Sequence, residues 1–223
     1  MRVAVCGAGN VGTSIASDLS AHGHDVLLID KDVDLVQRLR KEMEGLDIVA
    51  ADGCEVNSLD AAGFAEVDVV IAATGDDEDN LVISLLSKQE FAVPRVISRV
   101  NNSKNQWLFN ESWGVDVSVC MPLMMTALVE EAVSVGSLVR LLRLERGHVN
   151  LVEVTLADTS PAVGVSLAQL DIPRDATIVA VVRRDRLVVP RGDTVLEPGD
   201  EVLALVTAQS EQQVHAVLVG NAS

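Results

Sequence analysis

Residues 1–30 read MRVAVCGAGNVGTSIASDLSAHGHDVLLID, and this stretch decides the fold. Arg2 to Cys6 is a short, mostly apolar run of the kind that forms a buried parallel strand. It leads straight into Gly7-Ala8-Gly9-Asn10-Val11-Gly12. Apolar residues at helical spacing follow over 14–22, and a second apolar run, 26–29, stops at Asp30. A lone pair of spaced glycines is a turn; set between strand and helix, with an acid at the right distance, it is a dinucleotide fingerprint. Gly7 permits the tight turn, Gly9 lets the backbone approach a phosphate, and Gly12 lets helix and strand pack closely. The helix then aims its free N–H groups and positive dipole end at that phosphate. Asp30 stands eighteen positions after Gly12. A carboxylate there can accept both ribose hydroxyls. It argues against a 2′-phosphate, because two anions would meet, whereas the neighbouring cation Lys31 argues the other way. Candidate cofactor ligands from this stretch are Gly7, Ala8, Gly9, Asn10, Val11, Gly12, Asp30 and Lys31.

Beyond Asp30 the alternation continues. Helical patterns over 33–43, 55–62, 80–91 and 104–113 separate apolar runs over 48–50, 67–73, 95–98 and 115–119. Gly45 is a natural helix stop, since glycine takes the left-handed cap conformation freely. Six strands alternating with helices predict a doubly wound parallel sheet, Rossmann-like, in the order 3-2-1-4-5-6. Its ligand crevice lies at the carboxyl ends of the strands. Asp52 and Gly53 end the third strand and flank an adenine position. Thr74, Gly75 and Asp76 end the fourth. Arg99 ends the fifth and is assigned to phosphate or the second ribose. These six complete the candidate cofactor set. The acids Asp76, Asp77, Glu78 and Asp79 begin a helix, where capping and dipole complementation account for them, with a cation held beside nucleotide phosphates as the alternative. No residue is assigned to catalysis or to a metal.

After the sixth strand, residues 122–137 carry an apolar stripe too wide for one packed face, including Leu123, Met124, Leu128 and Val129. This helix is expected to cross onto a second subunit, with Gly136 as a hinge. From residue 138 the pattern becomes β-rich. Strands over 139–146 and 149–156 are joined through Gly147-His148. A hairpin turns at Arg184-Asp185, Glu197-Pro198-Gly199-Asp200 is a turn, and a last amphipathic helix covers 209–218. The expected division is a nucleotide-binding domain over 1–121, a crossover helix over 122–137, and a small α+β domain over 138–223.

Composition narrows the function classes. The chain has 223 residues, 48% of them hydrophobic, and a net charge of −16. That charge opposes a nucleic-acid surface, which needs clustered Lys and Arg. No apolar run approaches the roughly 18 residues of a membrane span. The first residues already belong to a strand, so no leader peptide is expected. Three scattered cysteines, Cys6, Cys54 and Cys120, suggest a reducing cytosol rather than a disulfide framework.

Taken together, these residues resemble the TrkA/KtrA family of cytoplasmic potassium-transport regulators. The matching features in the N-terminal half are Gly7-x-Gly9-x-x-Gly12, Asp30, Ala51-Asp52-Gly53, Ala73-Thr74-Gly75-Asp76-Asp77-x-x-Asn80 and Arg99. In the C-terminal half they are Leu170-x-Ile172-Pro173, Ile178 to Arg183, Val189-Pro190 and Leu196-x-Pro198-Gly199-Asp200. The resemblance implies a regulatory subunit that binds NAD(H) or ATP/ADP and gates a membrane potassium-transporter pore subunit. It implies assembly as a dimer-based homo-oligomeric ring, or a hetero-oligomer with a sibling regulator, on the inner face of the cell membrane. The family's third-strand motif often begins with glycine; here Ala51 stands in that place. The competing reading is an NAD-dependent oxidoreductase. A short-chain type needs a tyrosine acid, and the chain has no Tyr. A hydroxy-acid type needs a base such as His near the nicotinamide, yet His22 and His24 fall before the second strand and His148 and His215 in the small domain. A redox-sensing transcription factor would need a basic DNA-reading module, and none is visible.

Overall fold

The computed structural model of the chain describes residues 1–133, 135–144 and 149–220. It divides into two compact units, Met1–Pro122 and Leu123–Ser223. The first unit is a six-stranded sheet in the order β3-β2-β1-β4-β5-β6, every neighbouring pair parallel. Its strands are β1 (Arg2–Cys6), β2 (Asp25–Asp30), β3 (Asp47–Ala50), β4 (Val69–Ala72), β5 (Arg95–Val100) and β6 (Val117–Cys120). The expected strand order is therefore the observed one.

The sheet is covered on both faces, so its central strands are almost wholly apolar. Leu27, Ile29, Val70, Ala72 and Val96 pack with Leu59, Phe64 and Ile83 on one side. Val5, Val26, Leu28 and Ile48 pack with Ala16, Val36 and Leu39 on the other. The helices are α1 (Asn10–Ala21), α2 (Val33–Glu42), α3 (Val56–Ala61) and α4 (Asp77–Gln89). Asp32 starts α2 by accepting from Leu35 N–H at 3.0 Å, and Arg40 in its last turn reaches Ile48 O at 2.6 Å.

One expected helix is replaced. Residues 104–113 form two short 3-10 segments, Ser103–Leu108 and Glu111–Trp113. Asn102 Oδ1 accepts from Lys104 N–H at 3.1 Å, and Asn110 Oδ1 accepts from Ser112 N–H at 2.9 Å. Asparagine side chains compete for the N–H groups that a continuous α-helix would use. Strand β5 also runs one residue past Arg99, which is therefore inside the strand rather than beyond its end.

Helix α5 (Met121–Val133) follows, with Leu123, Met125, Leu128, Val129 and Val133 exposed. Gly136 then takes a left-handed φ of 76° and donates to Thr155 O at 2.8 Å. The second unit is an antiparallel sheet in the order β10-β9-β11-β8-β7. Its strands are β7 (Leu138–Leu144), β8 (Val149–Thr155), β9 (Thr177–Arg183), β10 (Arg186–Val188) and β11 (Glu201–Thr207). The Gly147-His148 turn expected between β7 and β8 lies outside the described residues, as does Ser134. Arg184 and Asp185 have φ of 50° and 62°, the positive pair that a two-residue hairpin requires. Helix α6 (Glu211–Leu218) buries Val214 and Leu218 against Val152, Val154, Val181, Val202 and Val206.

Candidate functional site

The carboxyl ends of β1 to β5 converge on a cleft of about 410 Å³, within the size range of small-molecule sites. The glycine turn forms its floor for steric reasons. Gly7 has φ of 105°, and a Cβ there would stand 2.9 Å from Thr74 Cα. The turn after β1 and the turn after β4 therefore touch through backbone. A Cβ on Gly12 would fall 1.8 Å from Gly7 O, so α1 can leave β1 only at a glycine. Around Gly9 the added Cβ would meet nothing within 4 Å, because its backbone faces the open cleft. Gly9 is also the N-cap of α1, with no side chain capping the first turn. Those N–H groups have no acceptor inside the helix, and with the dipole they suit an anion.

Asp30 ends β2 with its carboxylate already held. Oδ2 accepts from Ala8 N–H at 2.7 Å and Oδ1 from Asp32 N–H at 2.9 Å. It thus ties the glycine turn to β2, and each oxygen keeps a lone pair for a further donor. Lys31 points to the opposite wall, its Nζ 3.1 Å from Asp79 Oδ2 in the first turn of α4. Asp52 Oδ1 accepts from Cys54 N–H at 2.8 Å, and a Cβ on Gly53 would sit 3.0 Å from Ile83 Cδ1.

The far wall is built by Asn80, which is fully buried. Its Oδ1 takes the Thr74 N–H at 2.9 Å, and its Nδ2 donates to Arg99 O at 3.0 Å. One amide thus locks the ends of β4 and β5 together. Asp76 caps α4 by accepting from Asp79 N–H at 3.1 Å, as the acid run suggested. Asp77, 5% exposed, accepts from the N–H groups of Asn101 and Asn102 and from Asn105 Nδ2. Burial by itself would raise the carboxyl, but the hydrogen bonds from Asn101, Asn105 and Asn102 outweigh it and hold Asp77 below the usual carboxylate value. Arg99 lines the cleft, and its buried Nε has no acceptor among the described residues.

Of the residues singled out from sequence, Gly7, Gly9, Asp30, Lys31, Asp52, Gly53, Thr74, Gly75, Asp76 and Arg99 line this cleft. Ala8, Asn10, Val11 and Gly12 do not; Ala8 is buried behind the turn, and the others begin α1. Beside the strand-end neighbours Cys6, Ile29, Ala51 and Ala73, the structure adds Leu35, Cys54, Asp79 and Ile83 to the lining. Asp79 stands in the acid run at the start of α4, where capping accounts for such residues, and the apolar three look like ordinary core positions. Cys54 is half-buried and packs on the core. Burial, with Asp79 and Asp52 close by, pushes its thiol up to about 12, so it is a neutral group. The other titratable lining groups are carboxylates, Lys31, Arg99 and the buried Cys6. His22 and His24 lie at the opposite end of α1, where His22 Nδ1 is 2.6 Å from Asp18 O. Among the described residues, no three His, Cys, Asp or Glu side chains group to hold a metal ion.

Comparison with known proteins agrees with this architecture. The model of the TrkA-N domain matches residues 3–121, and that of the TrkA-C domain matches residues 151–219. The Trk system potassium uptake protein TrkA of Mycobacterium tuberculosis is 45% identical over 224 residues, spanning 98% of this chain and 99% of that protein. A TrkA homolog of Archaeoglobus fulgidus is 32% identical over 222 residues; the match covers 97% of this chain and 50% of that longer protein. Among solved structures the GsuK channel superposes with a TM-score of 0.63 at 19% identity, covering 100% of this chain and 40% of that one. The same channel bound to NAD gives the same TM-score of 0.63. The AMP-bound form of the Kef C-terminal domain from Shewanella denitrificans gives 0.50 at 18% identity, over 59% of this chain and 79% of that one. At those identities the likeness is one of fold.

Proposed function

The chain belongs to the TrkA family of Trk-system potassium uptake proteins, and from that premise we propose that it is a nucleotide-binding regulatory subunit. Its cleft takes an adenine nucleotide, NAD(H) or ATP/ADP, and the bound state sets the conductance of a membrane pore partner. The observation that carries this reading is Arg99, a guanidinium lining the cleft with its buried Nε unanswered. A buried donor without an acceptor is costly, and a phosphate aimed at by the uncapped start of α1 would satisfy it. Asp30 at the end of β2 is set to receive a ribose hydroxyl through its remaining lone pairs. The GsuK and Kef structures, bound to NAD and AMP, give the reading its fold-level support.

Gating follows as a population shift. A ligand moves an equilibrium only by its differential affinity for the two states, and a nearly complete switch needs about 5.5 kcal/mol. Several coupled copies supply that in shares. The exposed apolar residues of α5 supply the means of coupling, by packing against a second copy in a dimer-based ring. No helix of the described residues is long and apolar enough to cross a membrane. The protein then meets the inner face of the membrane through its pore partner. Hydride transfer is the weaker reading, because the cleft is lined by fixed carboxylates and a neutral thiol rather than by a histidine or tyrosine.

Calorimetry with NAD, NADH, ATP, ADP and AMP, each with and without magnesium, tests the reading. Binding of one redox or phosphorylation state at least about tenfold more tightly than its counterpart is expected; that is 1.4 kcal/mol of discrimination. A chain that binds none of them sinks the proposal. From sequence, Asp30→Lys is expected to weaken nucleotide binding and leave the fold. The hydrogen bonds to Ala8 and Asp32 make Asp30→Asn the cleaner variant, since a lysine would also release the glycine turn.

A further inference from the structure

The ion pair across the cleft bears on which nucleotides can enter. Lys31 directly follows Asp30, at the end of the strand where a basic side chain accommodates the 2′-phosphate of an NADP-type ligand. By position alone Lys31 qualifies for that role. In the folded chain its ammonium is turned away to Asp79 Oδ2 at 3.1 Å, on the first turn of α4, and both residues line the cleft. The hydrogen bond to Asp79 also raises the Lys31 ammonium above the usual lysine value. Asp30, next in the chain, is anchored by two backbone N–H groups and cannot swing aside. Three carboxylates, those of Asp30, Asp52 and Asp79, therefore stand at the ribose end with one ammonium, which is already paired with Asp79.

We infer that Asp79 acts with Asp30 as a residue that determines specificity against 2′-phosphorylated nucleotides, by occupying Lys31 and keeping the ribose end of the cleft net negative. The inference rests on the nucleotide-binding reading of this cleft. A pair with Lys31 two-thirds exposed adds little to stability; its effect lies in where it holds the charge. Removing the Asp79 charge takes away the hydrogen-bond partner of Lys31 and leaves the weaker pull of Asp52, so the ammonium is free to turn toward a phosphate on the ribose. Asp79→Asn preserves the backbone N–H that Asp76 caps, so α4 keeps its start.

The test is calorimetric titration of the full chain with NAD and NADP, and with 5′-AMP and 2′,5′-ADP. Four forms are compared: the parent, Asp79→Asn, Lys31→Ala, and the double variant. The parent is expected to prefer the ligands without a 2′-phosphate. In Asp79→Asn that preference, read as the ratio of the two affinities, should shrink about tenfold, the scale of one hydrogen bond to a charged group. In the double variant the parent's preference should return, because the gain runs through Lys31. An Asp79→Asn chain that still binds NAD and keeps the parent's preference overturns this inference and leaves the nucleotide site standing. A gain that survives in the double variant also overturns it, since Lys31 would then not be the group involved. A parent that binds none of the four ligands overturns the site reading and this inference together.

Discussion

Arg183 in the second unit and Arg99 in the first are both partly shielded arginines, and their surroundings are opposite. Arg183 donates through Nε and Nη2 to the two oxygens of Asp200 at 2.7 Å, with Nη1 on Glu197 and Nη2 also on Val195 O. Asp200 is completely buried, and its Oδ2 also accepts from Glu197 N–H at 2.8 Å. That cluster locks the turn carrying Pro198 and Gly199 onto β9, and it is closed. Arg99 has a polished frame around its backbone, through Asn80, but its buried Nε meets no described acceptor. A closed cluster holds a fold together; an open one inside a cleft is a place for a ligand. The contrast also fits the two sheets. The parallel sheet sends all its carboxyl ends to one edge, whereas the antiparallel sheet alternates ends and pairs its polar groups locally.

The contrast breaks if the two arginines behave alike when removed. The largest effect is expected for Arg183→Met, which strands the buried Asp200 charge and should cost about 3–5 kcal/mol of stability in urea unfolding. Nucleotide affinity should hardly change. A loss below about 1 kcal/mol would mean the cluster behaves as a surface ion pair.

Next comes Arg99→Met. Nucleotide affinity should fall by about 1.5–3 kcal/mol, roughly tenfold to a hundredfold, in the same calorimetry. Its unfolding midpoint should stay close to the parent's, since no described partner is lost. A variant that binds as tightly as the parent, or unfolds far more easily, would place Arg99 among structural arginines.

The smallest effect sharpens the role of the wall behind Arg99. Asp77→Ala removes the acceptor of the Asn101, Asn102 and Asn105 donors and should cost about 1–2 kcal/mol at neutral pH. Its pH dependence has a definite sign. The folded-state value of Asp77 is lowered, so its contribution is complete above the unfolded value of about 3.9 and is lost as pH falls through the folded one. Parent and variant stabilities, measured by urea unfolding from pH 7 to pH 2, should therefore converge below about pH 4. A constant gap across that range would show that the carboxylate charge is not what holds the loop.

What could be read along the chain was whatever local chemistry dictates. The glycine turn, the strand alternation and the acid at Asp30 led to the order 3-2-1-4-5-6, because parallel strands need right-handed helical crossovers and phosphate turns need glycine. Arg184-Asp185 and Gly199 marked turns for similar reasons. Residues 104–113 misled, because helical spacing was present but Asn102 and Asn110 captured the N–H groups.

The composition of the cleft was the part that required the tertiary structure. Leu35, Cys54 and Ile83 reach it from helices and loops whose patterns mark them only as core. Asn80 locks β4 to β5 through Arg99 O, nineteen positions further along the chain, a span no local rule describes. Lys31 and Asp79 are forty-eight positions apart and meet only because the doubly wound order brings β2 beside the start of α4. Periodicity and turn chemistry act over a few residues, so they determine the elements. Which charges face each other, and which one is left without a partner, depends on distances through space that only folding sets.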